Sequence, residues 1–152
     1  MKEIYFDSIV LIERLHRLFL EVIKAELDKL KIHDINNIQC FILYNIGNNK
    51  LTVGEITNRG YYLGSNVTYN LKKMVENGYL KQEQSLHDRR SSHIELSEKG
   101  LELYKKFERL FQDHAANLSH NNLAEDKVHE LATLLSKLES FWSFLITHDI
   151  RG

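Results

Sequence analysis

The chain contains no proline. Nothing in it interrupts a helix by deleting a backbone donor, and proline-rich linkers are excluded. Cysteine is nearly missing too. Cys40 stands alone, so no internal disulfide can form, and a cytoplasmic setting is the default expectation. No run is long and uncharged enough to span a bilayer, so no membrane partner is expected. The opening residues, Met1 to Asp7, hold acids inside their apolar run, unlike a signal peptide. Repeats, low-complexity tracts and an interdomain linker are all lacking, and 152 residues fit one domain with helical appendages.

Catalytic patterns are missing as well. There is no phosphate-binding glycine loop, no nucleophile elbow and no paired catalytic carboxylate motif, so neither an enzyme nor a cofactor is expected. Eight histidines raise the question of a metal. None forms an i, i+4 pair, and His114, His120 and His129 near Glu130 lack a specific ligand spacing. Solvated or interface histidines, and no metal, are the expectation.

What is present centres on residues 52–96. Thr52 and Glu55 have capping-box spacing and open a helix of about two turns that should stop near Gly60. Gly64-Ser65 then offers a hydroxyl N-cap, and Asn77-Gly78 a left-handed stop. Between them Val67, Leu71, Met74 and Val75 form an apolar stripe. The opposite face collects Ser65, Asn66, Tyr69, Lys72 and Lys73, with Thr68 on its flank. A face of hydrogen-bonding groups and cations suits the major groove of DNA, although an ordinary solvated face has the same composition. A short helix, a turn and a longer amphipathic helix make a helix-turn-helix. Residues 79–84 and 91–96 alternate and read as a two-stranded ribbon. Its tip, Ser85 to Arg90, carries adjacent arginines, which the negative potential of a minor groove would favour.

The charge distribution agrees. The net charge is only −1, yet residues 50–93 carry seven Lys/Arg against four Asp/Glu, while residues 94–152 carry seven against ten. The positive excess falls where phosphate contacts are needed.

The flanks are helical. Residues 3–30 show a broad stripe through Ile4, Leu11, Leu15, Leu18 and Val22, with Ile12, Phe19 and Ile23 beside it. Asp34 or Asn36 caps a helix over 37–46, which Gly47 ends. Ser97 caps a helix over 98–117 with a stripe of Leu101, Tyr104, Phe107, Leu110, Phe111 and His114. After a polar break at 119–122, a last helix over 124–147 aligns Val128, Leu131, Leu134, Leu135, Leu138, Phe141, Trp142 and Leu145. These terminal helices have more apolar surface than a small winged helix can cover. Packing against a second chain is the economical solution, with an intramolecular bundle as the alternative.

The element order, the run from Gly64 to Leu80, Asp88-Arg89-Arg90, and Ile94 to Gly100 together resemble the MarR family of winged-helix regulators, over nearly the whole chain. The segment from Gly60 to Val67 is similar to an alphaproteobacterial branch that includes the LdtR and PetP regulators. The resemblance implies a mainly α fold with a small β-wing: a winged helix-turn-helix over 36–96, and dimerisation helices over 1–31 and 98–148, in one domain of residues 1–152. It implies a homodimeric regulator in which Asn66, Thr68 and Tyr69 read base edges of a pseudo-palindromic operator in double-stranded DNA. Ser65 would lie near a phosphate, and Lys72 and Lys73 would attract the backbone. Asp88 would orient Arg89 or Arg90 for the minor groove. The family's fuller wing pattern repeats the acid–x–Arg unit, and here Ser85 and His87 stand in the earlier unit's place. Members often bind amphipathic aromatic or phenolic effectors between the dimerisation helices and the winged domain. Phe19, Leu20, Ile23, Ile38, Phe41 and Tyr44 would line that crevice, or else form plain core. Some members sense oxidants through a cysteine near the start of the first helix, where this chain has none. Two other functions remain open at this point: a winged-helix protein–protein adaptor, and an oxidant sensor built on Cys40.

Overall fold

The computed structural model describes residues 1–60, 64–84 and 92–148, with Gly64 and Ser65 described for their backbone only. Among the described residues the elements are α1 (Lys2–Lys29), α2 (Asn37–Ile46), β1 (Leu51–Thr52), α3 (Val53–Gly60), α4 (Gly64–Glu76), β2 (Leu80–Gln84), β3 (Ser92–Leu96), α5 (Glu98–Leu118) and α6 (Glu125–Thr147), with a 3₁₀ turn at Ser119–Asn121. The fold is mainly α with one small antiparallel sheet. No described helix is long and apolar enough to cross a membrane.

Residues 1–107 form one compact unit and 108–152 a second. The first holds every buried residue among those described. Ile42, Leu43 and Ile46 of α2, Ile56 of α3, Val67 and Met74 of α4, Ile94 of β3 and Phe107 of α5 are shut off from solvent almost completely. In the second unit no described residue is buried.

Local chemistry explains most boundaries. Asn36, not Asp34, caps α2: its side chain accepts from the Gln39 amide, and Gln39 reaches back to the Asn36 N–H, completing a capping box. Thr52 and Glu55 form the expected second box. Gly78, at φ +84°, closes α4, with Gly78 N–H donating to Val75 and Tyr79 N–H to Met74. These two bonds define a Schellman motif. The start of α4 differs from expectation. The helix begins at Gly64, so Ser65 lies inside the first turn rather than at the cap. Val67, two residues on, is buried and anchors that turn to the core.

The sheet also differs. β3 pairs with β2 from Leu80↔Leu96 to Gln84↔Ser92, as a ribbon should, but β1 adds a third strand on its other side through Leu51↔Ile94 and Thr52↔His93. Two residues are too few to show a period. In α5 the buried line runs through Gly100, Leu103 and Phe107; of the expected stripe Phe107 is buried, while Leu101 and Tyr104 are half-buried beside it.

Candidate nucleic-acid interface

Three turns of α4 carry the candidate interface. Val67, Leu71 and Met74 are buried beneath it, which turns the opposite face outward. Asn66, Thr68, Tyr69, Lys72 and Lys73 are all exposed there, Tyr69 to 61%. The structure thus brings these five expected site residues together on one outward surface. Ser65 is adjacent in the backbone, and its side chain lies outside the description. Asp88, Arg89 and Arg90 likewise lie outside the described residues, between two strands that stay paired up to Gln84↔Ser92.

The cations on this surface differ in what they are free to do. Lys73 forms an ion pair with Glu76 at 3.6 Å, one turn on, and sits 5.9 Å from the Tyr69 ring centroid. Lys50, just before β1, is held by Glu83 of β2 at 2.7 Å, a bond that reaches across the central strand. That hydrogen bond and the paired charge push the Lys50 pKa up and the Glu83 pKa down. Among the described residues of 50–84, Arg59, Lys72 and Lys81 have no carboxylate within ion-pair distance. Uncommitted positive charge is therefore narrower than the sequence count of seven suggests.

Two positioning contacts were not legible as functional residues. Gln39 is buried and polar, and its Nε2 donates to Asn70 Oδ1 at 3.1 Å, joining α2 to the side of α4. Its spacing from Asn36 is a capping signal, but nothing local shows that its free end reaches 31 residues onward. Asp34 accepts from the Tyr79 hydroxyl at 2.5 Å and from Lys99 Nζ at 2.6 Å. No sequence pattern links those three positions.

The expected effector residues are spread over α1 and α2. Phe19 and Phe41 meet edge to face with centroids 5.4 Å apart, and Tyr44 stacks on Tyr104 at 5.2 Å. Leu20 is half-buried, and its carbonyl accepts from Asn37 Nδ2. Ile38 is exposed, whereas Ile23 is core at 1% exposure. These rings contact one another, so a ligand entering there has to part them. Cys40 is buried, and burial pushes its thiol pKa up to about 12. Such a thiol is a small hydrophobe rather than a nucleophile. Among the described residues no three His, Cys, Asp or Glu side chains group to hold a metal.

A short helix, a groove-sized amphipathic helix and a three-stranded ribbon define a winged helix-turn-helix protein. The chain belongs to the MarR family. The family's model matches residues 33–91. The exopolysaccharide II synthesis transcriptional activator ExpG of Rhizobium meliloti (strain 1021) is 36% identical over 138 residues, which span 91% of this chain and 71% of that protein. The uncharacterized HTH-type transcriptional regulator YkoM of Bacillus subtilis (strain 168) is 31% identical over 80% of this chain and 79% of its own. In fold the chain is similar to Streptococcus pneumoniae FabT in complex with DNA, with a TM-score of 0.73, 20% identity, and 93% of this chain and 99% of that one covered. The protein is thus a MarR-family transcriptional regulator and not an enzyme.

Proposed function

We propose that the protein acts in the cytoplasm as a homodimer that reads a pseudo-palindromic operator in double-stranded DNA and responds to a small aromatic or phenolic effector. The observation that carries the DNA reading is the outward set of Asn66, Thr68, Tyr69, Lys72 and Lys73 over the buried Val67, Leu71 and Met74. Asn66, Thr68 and Tyr69 contact base edges, Lys72 and Lys73 the backbone, and Ser65 a phosphate at the helix start. The wing residues Asp88, Arg89 and Arg90 add a minor-groove contact. FabT, which shares the fold, has been captured on DNA.

Pairing is supported by exposed apolar side chains on the terminal helices. Leu11, Leu15 and Leu18 of α1 are more than half exposed, as is Leu134 of α6, and Phe141 and Phe144 nearly so. Residues 1–31 and 98–148 thus serve the dimer and 36–96 the DNA. Two-fold symmetry sets half-site centres about 10 base pairs apart or a multiple of that. An effector that parts the Phe19–Phe41 and Tyr44–Tyr104 contacts must bind one spacing of the two recognition helices better than the other, or nothing shifts.

The test is titration of the protein with a duplex from its own upstream region across a salt series, followed by footprinting. Salt-dependent binding and a footprint with dyad symmetry are expected. Lys72→Ala should lower the salt slope by about one. A protein that ignores duplex at low salt is an adaptor instead, and equal effector affinity with and without operator removes the regulatory half of the proposal.

A further inference from the structure

The exit of α4 is tied to the first turn of α5 by a compact set of bonds. Lys99 Nζ donates to Asp34 Oδ2 at 2.6 Å and to the Asn77 carbonyl at 2.8 Å, and lies 4.3 Å from the Tyr79 ring centroid. The Tyr79 hydroxyl donates to Asp34 Oδ1, and Asn77 Nδ2 donates to the Asp34 carbonyl at 2.9 Å. Ser97 adds backbone clamps: its N–H donates to the Tyr79 carbonyl at 3.0 Å and its hydroxyl to the Gly78 carbonyl at 2.5 Å. Gly100 lets the two elements touch, since a Cβ there would overlap the Tyr79 carbonyl oxygen. Three segments far apart in sequence therefore meet where the recognition helix ends.

We infer that Asp34 and Lys99 are positioning residues for DNA reading, locking the exit of α4 to the start of α5 and so setting the angle at which α4 presents Asn66, Thr68 and Tyr69. The inference rests on the DNA reading above and deepens it. Neither residue lies on the polar face of α4. Both side chains are nearly half exposed, and solvated pairs of this kind add little to stability. Their work is orientation. A misplaced reading helix loses base contacts first, because non-specific binding depends on phosphates alone.

The experiment compares Asp34→Asn, Lys99→Met, the double variant and Tyr79→Phe with the wild type. Each is titrated with operator and with random duplex, and amide hydrogen exchange is followed at Gly78, Tyr79 and Ser97. Expected are faster exchange at those amides, a melting temperature within a few degrees of wild type, and about a tenfold loss on operator with none on random duplex. The salt slope should stay unchanged, and the double variant should lose no more than the worse single one. Equal loss on both duplexes, a salt slope lower by about one in Lys99→Met, or additive losses would overturn the inference, since Lys99 then touches phosphate or acts apart from Asp34. Unchanged exchange in Asp34→Asn also overturns it, whatever the DNA data say. A wild type that ignores duplex while the exchange change persists sinks the DNA reading instead.

Discussion

At the scale of single residues, burial decides chemistry that composition leaves open. Cys40 was a candidate sensor because it is the one thiol. Buried at 1% exposure, on a helix that also buries Ile42, Leu43 and Ile46, it has its thiol pKa pushed up to about 12, which disfavours thiolate near neutral pH. A disulfide reagent at pH 8 should leave the folded protein unlabelled and label one thiol per chain in guanidinium; rapid native labelling would restore the oxidant-sensor alternative. Asp34 behaves oppositely. Burial raises its pKa, but the hydrogen bonds from Lys99 and Tyr79 and the Lys99 charge outweigh it, leaving the carboxyl below its ordinary 3.8. A carboxylate depressed on folding stabilises fully above its unfolded value, and that contribution fades as pH falls through the folded one. Urea midpoints of wild type and Asp34→Asn should therefore differ near neutrality, by about 1 kcal/mol or less for so exposed a pair, and converge below about pH 4. A gap that widens in acid would mean the carboxylate is not stabilised by its partners.

At the scale of elements, α4 is held at both its flank and its end. Gln39 grips Asn70 from the side, and the Asp34–Lys99–Tyr79 set grips the exit. The close approach at Gly100 predicts a sharp cost for any side chain there. Gly100→Ala should destabilise by about 1–3 kcal/mol, the range for overpacking a tight contact, read as a lowered denaturant midpoint with an unchanged slope. Full stability in that variant would show that Tyr79 and α5 can move apart freely. The capping box at Thr52 and the glycine stop at Gly78 were legible, because each is made of local bonds within a few residues. The sequence left the α2 cap open between Asp34 and Asn36, and placed the α4 cap too late, at Ser65 inside the first turn. β1 was not, since its two residues acquire strand geometry only from pairing with β3.

At the scale of the whole molecule, the question is what covers the terminal helices. α6 has no buried residue although half its length is apolar, and α1 buries only Ile23 and Leu27. Leu134→Glu and Leu15→Glu place a charge in the proposed interface. Each should shift the protein from dimer to monomer in sedimentation and weaken operator binding by a hundredfold or more as the second half-site is lost. Unchanged sedimentation in both would move the interface elsewhere.

Helix order, the Thr52 and Gly78 helix ends and the two faces of α4 were readable from residues alone, because each depends on neighbours within one or two turns. The family resemblance extended that reading to the dimer and the wing. What had to wait for three dimensions was every contact spanning tens of residues: Gln39 with Asn70, Lys50 with Glu83, and Asp34 with Tyr79 and Lys99. The line of burial on α5 belongs with these, since an amphipathic stripe is broad and only its packing partner selects the buried edge. Periodicity reports which faces avoid water, while chain folding alone chooses which of those faces meet.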